Sequence, residues 1–172
     1  SMSFTANLPA TSEKLTLTMQ ASWEIEADYD YMQVKVNGVA IAGNYTKSVN
    51  AINSARHIIT GKSSSISTAV GSDAWVGLEY DLSAYAGKAV TIEFTYVTDE
   101  AAIESGTTID NISIKQGATE LYADNAEVAG KATLAGYSRI TSTRPGAASR
   151  YLIQLRSHNG VDAGLKDEGF DP

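Results

Sequence analysis

Carboxylates are the residues of this sequence whose type and spacing could do chemistry. Pairs of carboxylates serve glycosidases as acid and base or nucleophile, and clusters of them bind calcium together with backbone carbonyls. Composition alone does not separate these two chemistries. The acidic residues concerned are Glu24, Glu26, Asp28, Asp30, Asp99, Glu100, Glu104, Asp110, Asp124 and Glu127.

The alternate spacing of Glu26, Asp28 and Asp30 favours calcium. If their strand continues, the three side chains project to one side, and if it breaks into a turn, they converge. Asp99 and Asp110 belong to two further acidic turns, beside strands that we expect to be neighbours. The sequence therefore predicts one calcium site at an end of the fold, drawn from these five residues. The alternative is that Asp28 and Asp30 only cap turns.

The sequence gives little support for other catalytic chemistry, although a Ser–His–Asp triad stays open because its members are adjacent only in space. A zinc peptidase requires two histidines four positions apart on a helix with a glutamate beside the first, whereas the two histidines here are His57 and His158. No serine sits in a nucleophile-elbow pattern, and no glycine-rich phosphate loop is present. There are no cysteines, so disulfides, thiolate catalysis and cysteine-ligated metals are excluded.

The acidic net charge limits the classes of binding partner that this chain could have. A net charge of −7 and a pI of about 4.7 argue against nucleic acid, whose binders need a basic face, and disfavour anionic membranes. The same balance suits an extracellular protein and cation binding, although acidity also maintains solubility. No stretch approaches the roughly 18 apolar residues of a membrane span.

Two alternating segments early in the chain predict strands. Apolar side chains occupy every second position from Leu15 to Ile25, which is typical of a strand with one wet face. Trp23 lies on the apolar face and is predicted to be buried opposite Phe94 or Tyr96. Met32, Val34 and Val36 repeat the pattern. Asn37-Gly38 then favours a hairpin turn, with Val39–Ala42 as the return strand.

The next segment, residues 43–74, is rich in Ser, Asn, Thr and Gly. It predicts a long loop or a pair of short irregular strands, either functional or a tolerated surface insertion. Asn44-Tyr45-Thr46 and Asn111-Ile112-Ser113 match the glycosylation sequon, but such short matches arise often by chance.

Several later segments also read as short strands, and no segment has helical periodicity with caps. Many short strands joined by polar turns predict an all-β antiparallel sandwich or jelly roll. The expected strands are Trp75–Leu82, Val90 to Tyr96, Thr108–Ile114, Glu120–Tyr122, Arg139–Thr141 and Tyr151–Arg156.

The expected organisation is one sandwich with flanking segments. Ser1-Met2 resembles a cloning remnant, and residues 1–12 are expected to be a lead-in, with any targeting segment lost upstream. We expect a domain boundary near Gln116-Gly117, with a complete jelly roll formed by residues 13–117. Residues 118–172 would then be additional strands packing on it, or the start of a truncated next module.

Taken together, the order and spacing of several sequence motifs resemble the non-catalytic β-sandwich region of the immune inhibitor A family of secreted bacterial zinc metallopeptidases. They also look like other MAM-type and carbohydrate-binding jelly rolls. Where the family pattern often has two acidic residues, this chain has Asp110-Asn111 and Asp124-Asn125. The resemblance rests on Trp23–Glu26, Asp28–Tyr31, Tyr80–Leu82, Tyr85–Lys88, Tyr96–Asp99, Gly106, Ile109–Ile112, Asp124–Glu127, Tyr151–Arg156, Gly160–Asp162 and Gly164-Leu165.

The resemblance implies a secreted, non-catalytic accessory domain that packs against a catalytic domain and holds calcium. The family's zinc-binding H-E-x-x-H helix is absent from this sequence, so zinc would belong to the catalytic domain. A protein or glycan surface is a further expected partner. The alternative is a stand-alone carbohydrate-binding or adhesion module, in which Trp75, Tyr45 and the 43–74 loop would stack on sugars. A glycosidase is a third interpretation.

Overall fold

The computed structural model describes residues 1–99, 101–102, 104–140 and 150–153. Within them the chain forms an antiparallel β-sandwich, which confirms the predicted fold class. The strands are β1 (Met2–Asn7), β2 (Leu15–Glu24), β3 (Tyr31–Val36), β4 (Val39–Ala40), β5 (Lys47–Val49), β6 (Arg56–Ile58), β7 (Val76–Asp81), β8 (Ala89–Val97), β9 (Gly106–Gln116), β10 (Thr119–Asp124), β11 (Thr133–Leu134), β12 (Tyr137–Ile140) and β13 (Arg150–Ile153).

Two sheets make up the sandwich. The first has the strand order β11-β1-β8-β3-β4, and the second has the order β12-β13-β9-β2-β7, with β10 also paired to β9. The hairpin β5–β6 is separate and belongs to the 43–74 segment, which the sequence predicted to be a loop or irregular strands. None of the helices among the described residues is long and apolar enough to cross a bilayer.

The alternating pattern of β2 explains how the sheets pack. Its residues are buried and half-buried in strict alternation, because successive side chains of a strand point to opposite faces. Trp23 is only 4% exposed and shares one buried cluster with Phe94 from the other sheet. The predicted burial of Trp23 is therefore confirmed. Asn37 and Gly38 have φ values of 50° and 81°, as a tight hairpin turn between β3 and β4 requires.

The N-terminal segment differs from the expected lead-in. Met2 to Asn7 pair with Phe94 to Ala89 of β8, and Met2 and Phe4 are buried in the core. Met2, Phe4 and Leu8 recur at even positions, so the period of two was already present in this short stretch. Residues 2–7 are therefore a strand of the sandwich.

Strands on both sides of Gln116-Gly117 share the same sheets. After the turn at this point, β10 folds back on β9, β11 pairs with β1, and β13 pairs with β9. The predicted strand Arg139–Thr141 is observed as Tyr137–Ile140, and the predicted Tyr151–Arg156 as Arg150–Ile153. Their remaining residues lie outside the described part of the chain.

Candidate metal centre

The acidic residues gather at one end of the sandwich because of the pairing between β3 and β8. In this antiparallel pair Tyr31, the first residue of β3, lies opposite Val97, the last residue of β8. The segment that precedes β3 and the segment that follows β8 therefore meet at the same end. The first carries Glu26, Asp28 and Asp30, and the second carries Asp99.

Glu26, Asp30 and Asp99 form the candidate metal centre. One carboxylate oxygen from each of the three lies within 4.8 Å of the others. They also differ in exposure, since Asp30 is buried, Glu26 is half-buried and Asp99 is exposed. The arrangement is a shallow acidic cluster with its deepest carboxylate against the core.

A turn, rather than a continued strand, brings Glu26 and Asp30 together. The strand β2 ends at Glu24, and the Asp30 amide donates a hydrogen bond of 3.2 Å to the Glu26 carbonyl. Asp28, between them, has a φ of 69°, which reverses the chain direction in the left-handed region. This is the second of the two geometries that the spacing allowed.

Thr60 holds this turn from the other side. Its hydroxyl donates to the carbonyls of Asp30, at 2.8 Å, and Glu26, at 3.1 Å, as alternative acceptors, and it accepts a hydrogen bond of 2.9 Å from the Asp28 amide. A single side chain thus fixes the backbone of both acidic residues. Nothing in the spacing of the sequence pointed to Thr60, which lies 30 residues beyond Asp30 in the chain.

Asp30 is the most deeply buried carboxylate of the centre. Its side chain is fully buried and accepts two hydrogen bonds, one of 3.1 Å from the Tyr96 hydroxyl to Oδ2 and one of 3.0 Å from the Asp99 amide to Oδ1. Each oxygen keeps a lone pair that a hydrogen bond does not use. Asp30 is therefore positioned as an acceptor on both sides.

Glu26 lacks such partners. Its Oε2 is buried, and among the described residues no hydrogen-bond donor reaches it. Leaving a charged acceptor buried and unpaired is costly, because the lost hydration is not replaced. This oxygen is therefore the atom of the centre with most to gain from a cation.

The pKa values of Glu26 and Asp30 are both raised, mainly by burial and to a smaller extent by neighbouring negative charges. Burial is the main cause that raises the pKa of Glu26, followed by the charges of Asp99, Asp30 and Glu104. Burial also raises the pKa of Asp30, against the lowering effect of its hydrogen bonds from Asp99 and Tyr96. Both carboxylates are thus harder to ionise than in water, and a bound cation would reverse that.

The nearby lysines are engaged elsewhere. Lys47 pairs with Asp28 at 2.5 Å, and Lys62 pairs with Glu24 and, at 3.8 Å, with Glu104. Across the part of the chain that the structure describes, no salt bridge includes Glu26, Asp30 or Asp99.

Two of the five predicted ligands lie elsewhere. Asp28 points to Lys47 because its left-handed backbone turns it away from Glu26 and Asp30. Asp110 is buried on β9 opposite Gln20, and its Oδ1 accepts a hydrogen bond of 2.7 Å from the Asn111 amide. Gln20 lies four residues before the end of β2, roughly 13 Å along a strand. The structure thus brings together Glu26, Asp30 and Asp99.

The donor set fits a hard cation. All three side chains offer carboxylate oxygens, which calcium and magnesium prefer over the nitrogen and sulfur donors typical of zinc. Cation binding is the chemistry that this geometry supports.

The residues proposed for sugar stacking, Tyr45 and Trp75, are both half-buried. Tyr45 is half-buried against the core, and its hydroxyl lies 2.8 Å from that of Thr68. Trp75 is half-buried and forms an isolated bridge with Val70. His57 lies on β6, and His158 lies outside the described residues.

The fold and this site define a class: a two-sheet antiparallel module with an acidic cluster between loops at one end. The family model for the immune inhibitor A-like MAM domain matches residues 1–142. The chain therefore belongs to the immune inhibitor A-like MAM domain family, which confirms the resemblance read from the sequence.

Curated relatives agree. The chain is 37% identical over 165 residues to the pre-pro-metalloprotease PrtV of two Vibrio cholerae serotype O1 strains, covering 95% of this chain and 17% of that protein. It is 28% identical over 144 residues to immune inhibitor A of Bacillus thuringiensis subsp. alesti, covering 84% of this chain and 19% of the relative. The chain thus spans less than a fifth of the length of these relatives.

Proposed function

We propose that this chain is a non-catalytic accessory domain of a secreted immune inhibitor A-like metallopeptidase. The family match and the small share of each relative that it covers support this role. PrtV is named a pre-pro-metalloprotease, and by analogy the parent of this chain would carry its zinc in a separate catalytic domain. The present sequence has no H-E-x-x-H motif. The catalytic domain of the parent chain is the expected partner.

The domain would hold one calcium ion at Glu26, Asp30 and Asp99. The observation that carries this proposal is that the Glu26 side chain has a buried, unpaired Oε2 and places a carboxylate oxygen within 4.8 Å of oxygens from Asp30 and Asp99. Calcium takes six to eight oxygen ligands, so backbone carbonyls or water would complete its coordination. The ion would neutralise charges that otherwise repel one another in a poorly hydrated place.

Calcium at this position would act as a structural staple. It would tie the turn between β2 and β3 to the segment after β8, two parts of the chain about 70 residues apart. The sequence has no cysteine and hence no disulfide to do this. A ligand that binds only the folded state stabilises it by about 2.7 kcal/mol at a hundredfold excess over its Kd.

The activity of the isolated domain tests the accessory role. We expect the purified chain, supplied with zinc and calcium, to hydrolyse neither casein nor chromogenic glycosides. A full-length relative that carries the H-E-x-x-H helix would be the positive control. Zinc-dependent cleavage by the domain alone would contradict a non-catalytic role.

The carbohydrate-binding alternative is not favoured. It required Tyr45 and Trp75 to present open ring faces, whereas both are half-buried and Tyr45 packs against the core. A protein surface, beginning with the parent's own catalytic domain, is the better-supported partner. Titration with soluble glycans would show no saturable change in tryptophan fluorescence under this account.

A further inference from the structure

The exposed edge of β7 is occupied by a short segment of the chain's own loop. β7 pairs on one side with β2, and its other side closes the second sheet. A free strand edge offers unpaired N–H and C=O groups to any other strand. At this edge those groups face Gly43–Thr46, which we call the edge cap.

Asn44 of the edge cap replaces a neighbouring strand. Its side-chain Nδ2 donates to the Gly77 carbonyl at 2.9 Å, and its Oδ1 accepts from the Glu79 amide at 3.0 Å. Its backbone amide donates to the Glu79 carbonyl at 3.2 Å. One residue therefore satisfies three backbone groups of β7, using its side-chain amide as a substitute peptide unit.

The rest of the edge cap is shaped to hold Asn44 there. The Thr46 hydroxyl accepts from the Gly43 amide at 3.1 Å and can donate to the Gly43 carbonyl at 3.0 Å, which closes the turn. The Tyr45 hydroxyl lies 2.8 Å from that of Thr68. A Cβ at position 43 would lie 2.5 Å from Cε1 of Tyr80, so only glycine allows this approach to β7.

We propose that Asn44 keeps the domain monomeric by occupying the edge of β7, which would otherwise pair with β7 of a second copy. Two identical edges can pair antiparallel across a twofold axis, because the same surface serves both partners. The charge of Glu79 would not prevent this, since Lys14 pairs with it at 2.7 Å. The inference is independent of the calcium proposal.

The test uses Asn44→Ala, with Asn53→Ala as a matched control. Asn53 is also an exposed loop asparagine whose Oδ1 accepts a backbone amide, that of Ala55, but it lies in the β5–β6 hairpin. Molecular mass is measured by light scattering across a concentration series, and exchange of the Glu79 amide proton by NMR. The mass reports association, and the Glu79 amide reports whether the edge of β7 takes part in it.

Wild type and Asn53→Ala should remain monomeric. Asn44→Ala should approach the dimer mass as concentration rises, and its Glu79 amide should exchange about tenfold faster than in wild type when dilute. Protection of that amide should return in the dimer, because the second copy's β7 displaces the edge cap, which in Asn44→Ala is held to β7 only by the backbone bond from residue 44 to the Glu79 carbonyl and by the bridge between Gly43 and Tyr80.

Asn44→Asp keeps the acceptor for the Glu79 amide and loses only the donor to the Gly77 carbonyl. The edge of β7 is then only partly opened, so this variant should associate more weakly than Asn44→Ala. It also serves if Asn44→Ala fails to fold. A folded variant that stays monomeric at every concentration would overturn the proposal. So would association that leaves the Glu79 amide unprotected, because the contact would then lie elsewhere.

Discussion

The Asp99 amide donates a hydrogen bond of 3.0 Å to Oδ1 of Asp30, joining residues 69 positions apart in the sequence. This bond brings the segment after β8 onto the turn before β3 and sets the Asp99 side chain beside Asp30. Because the bond comes from the backbone, it survives any substitution of the Asp99 side chain. The role of the Asp99 side chain as a ligand can therefore be tested separately from the role of its backbone in positioning the segment.

Asp99→Asn tests the ligand role with little structural change. Asp99 is exposed and keeps its backbone bond to Asp30, so we expect the calcium-free melting temperature to stay near that of wild type. The rise in melting temperature on adding calcium should shrink to less than half. Differential scanning calorimetry in chelator and in millimolar calcium measures both quantities, and Asp28→Asn, outside the cluster, is the control that should retain the full rise.

Thr60→Val tests how the turn is positioned. Valine has a similar shape but cannot donate a hydrogen bond to the carbonyls of Glu26 and Asp30. Substituting a residue that supports the ligands of a metal site typically lowers the metal affinity by about 10–100-fold. We expect a fall in calcium affinity of about that size, with Thr60→Ser restoring most of it. If valine and serine bound calcium equally well, Thr60 would have only a packing role.

The pH dependence follows from the raised pKa values of Glu26 and Asp30. A carboxyl whose pKa is higher in the folded state binds more protons folded than unfolded, so its contribution to stability is lost as pH rises through the folded pKa. In chelator, wild type should therefore lose stability relative to Asp30→Asn as pH rises above about 4, the ordinary range of carboxyl groups.

Calcium should reverse this trend, because the cation binds the ionised carboxylates and protons compete with it. The calcium-induced rise in melting temperature should consequently be smaller at about pH 4.5 than at pH 7. Melting curves at both pH values, with and without calcium, provide the comparison. An equal rise at both would mean that ionisation of these carboxylates is not linked to binding.

Trp23→Ala tests the core. Trp23 is 4% exposed between the sheets, and truncating such a side chain costs about 3–5 kcal/mol, enough to lower the melting temperature by roughly 10 °C. Trp23→Phe is the matched control. The indole Nε1 is buried with no hydrogen-bond partner among the described residues, so phenylalanine should cost far less. An unchanged melting temperature for the alanine variant would contradict the assigned inward face.

Much of the fold could be predicted because burial on one face enforces an alternation of apolar and polar residues, which is strict in β2 and holds in β8 as far as Phe94. The strand β1 was missed, since six residues near a chain end give a weak signal. Of the predicted site, the spacing placed Glu26 and Asp30 together correctly. It could not show that Asp28 turns to Lys47, because that depends on one backbone dihedral angle and a lysine from a distant hairpin.

Isothermal titration calorimetry of the metal-free domain with calcium tests the central claim most directly. The account predicts one calcium ion per chain for wild type, a loss of binding in Asp30→Asn, and little change in Asp110→Asn, since Asp110 lies on β9 away from the cluster. Titration with magnesium should be weaker, because that ion demands a tighter octahedral shell. No heat of binding in wild type, or equal binding by wild type and Asp30→Asn, would contradict a calcium centre at this end of the sandwich.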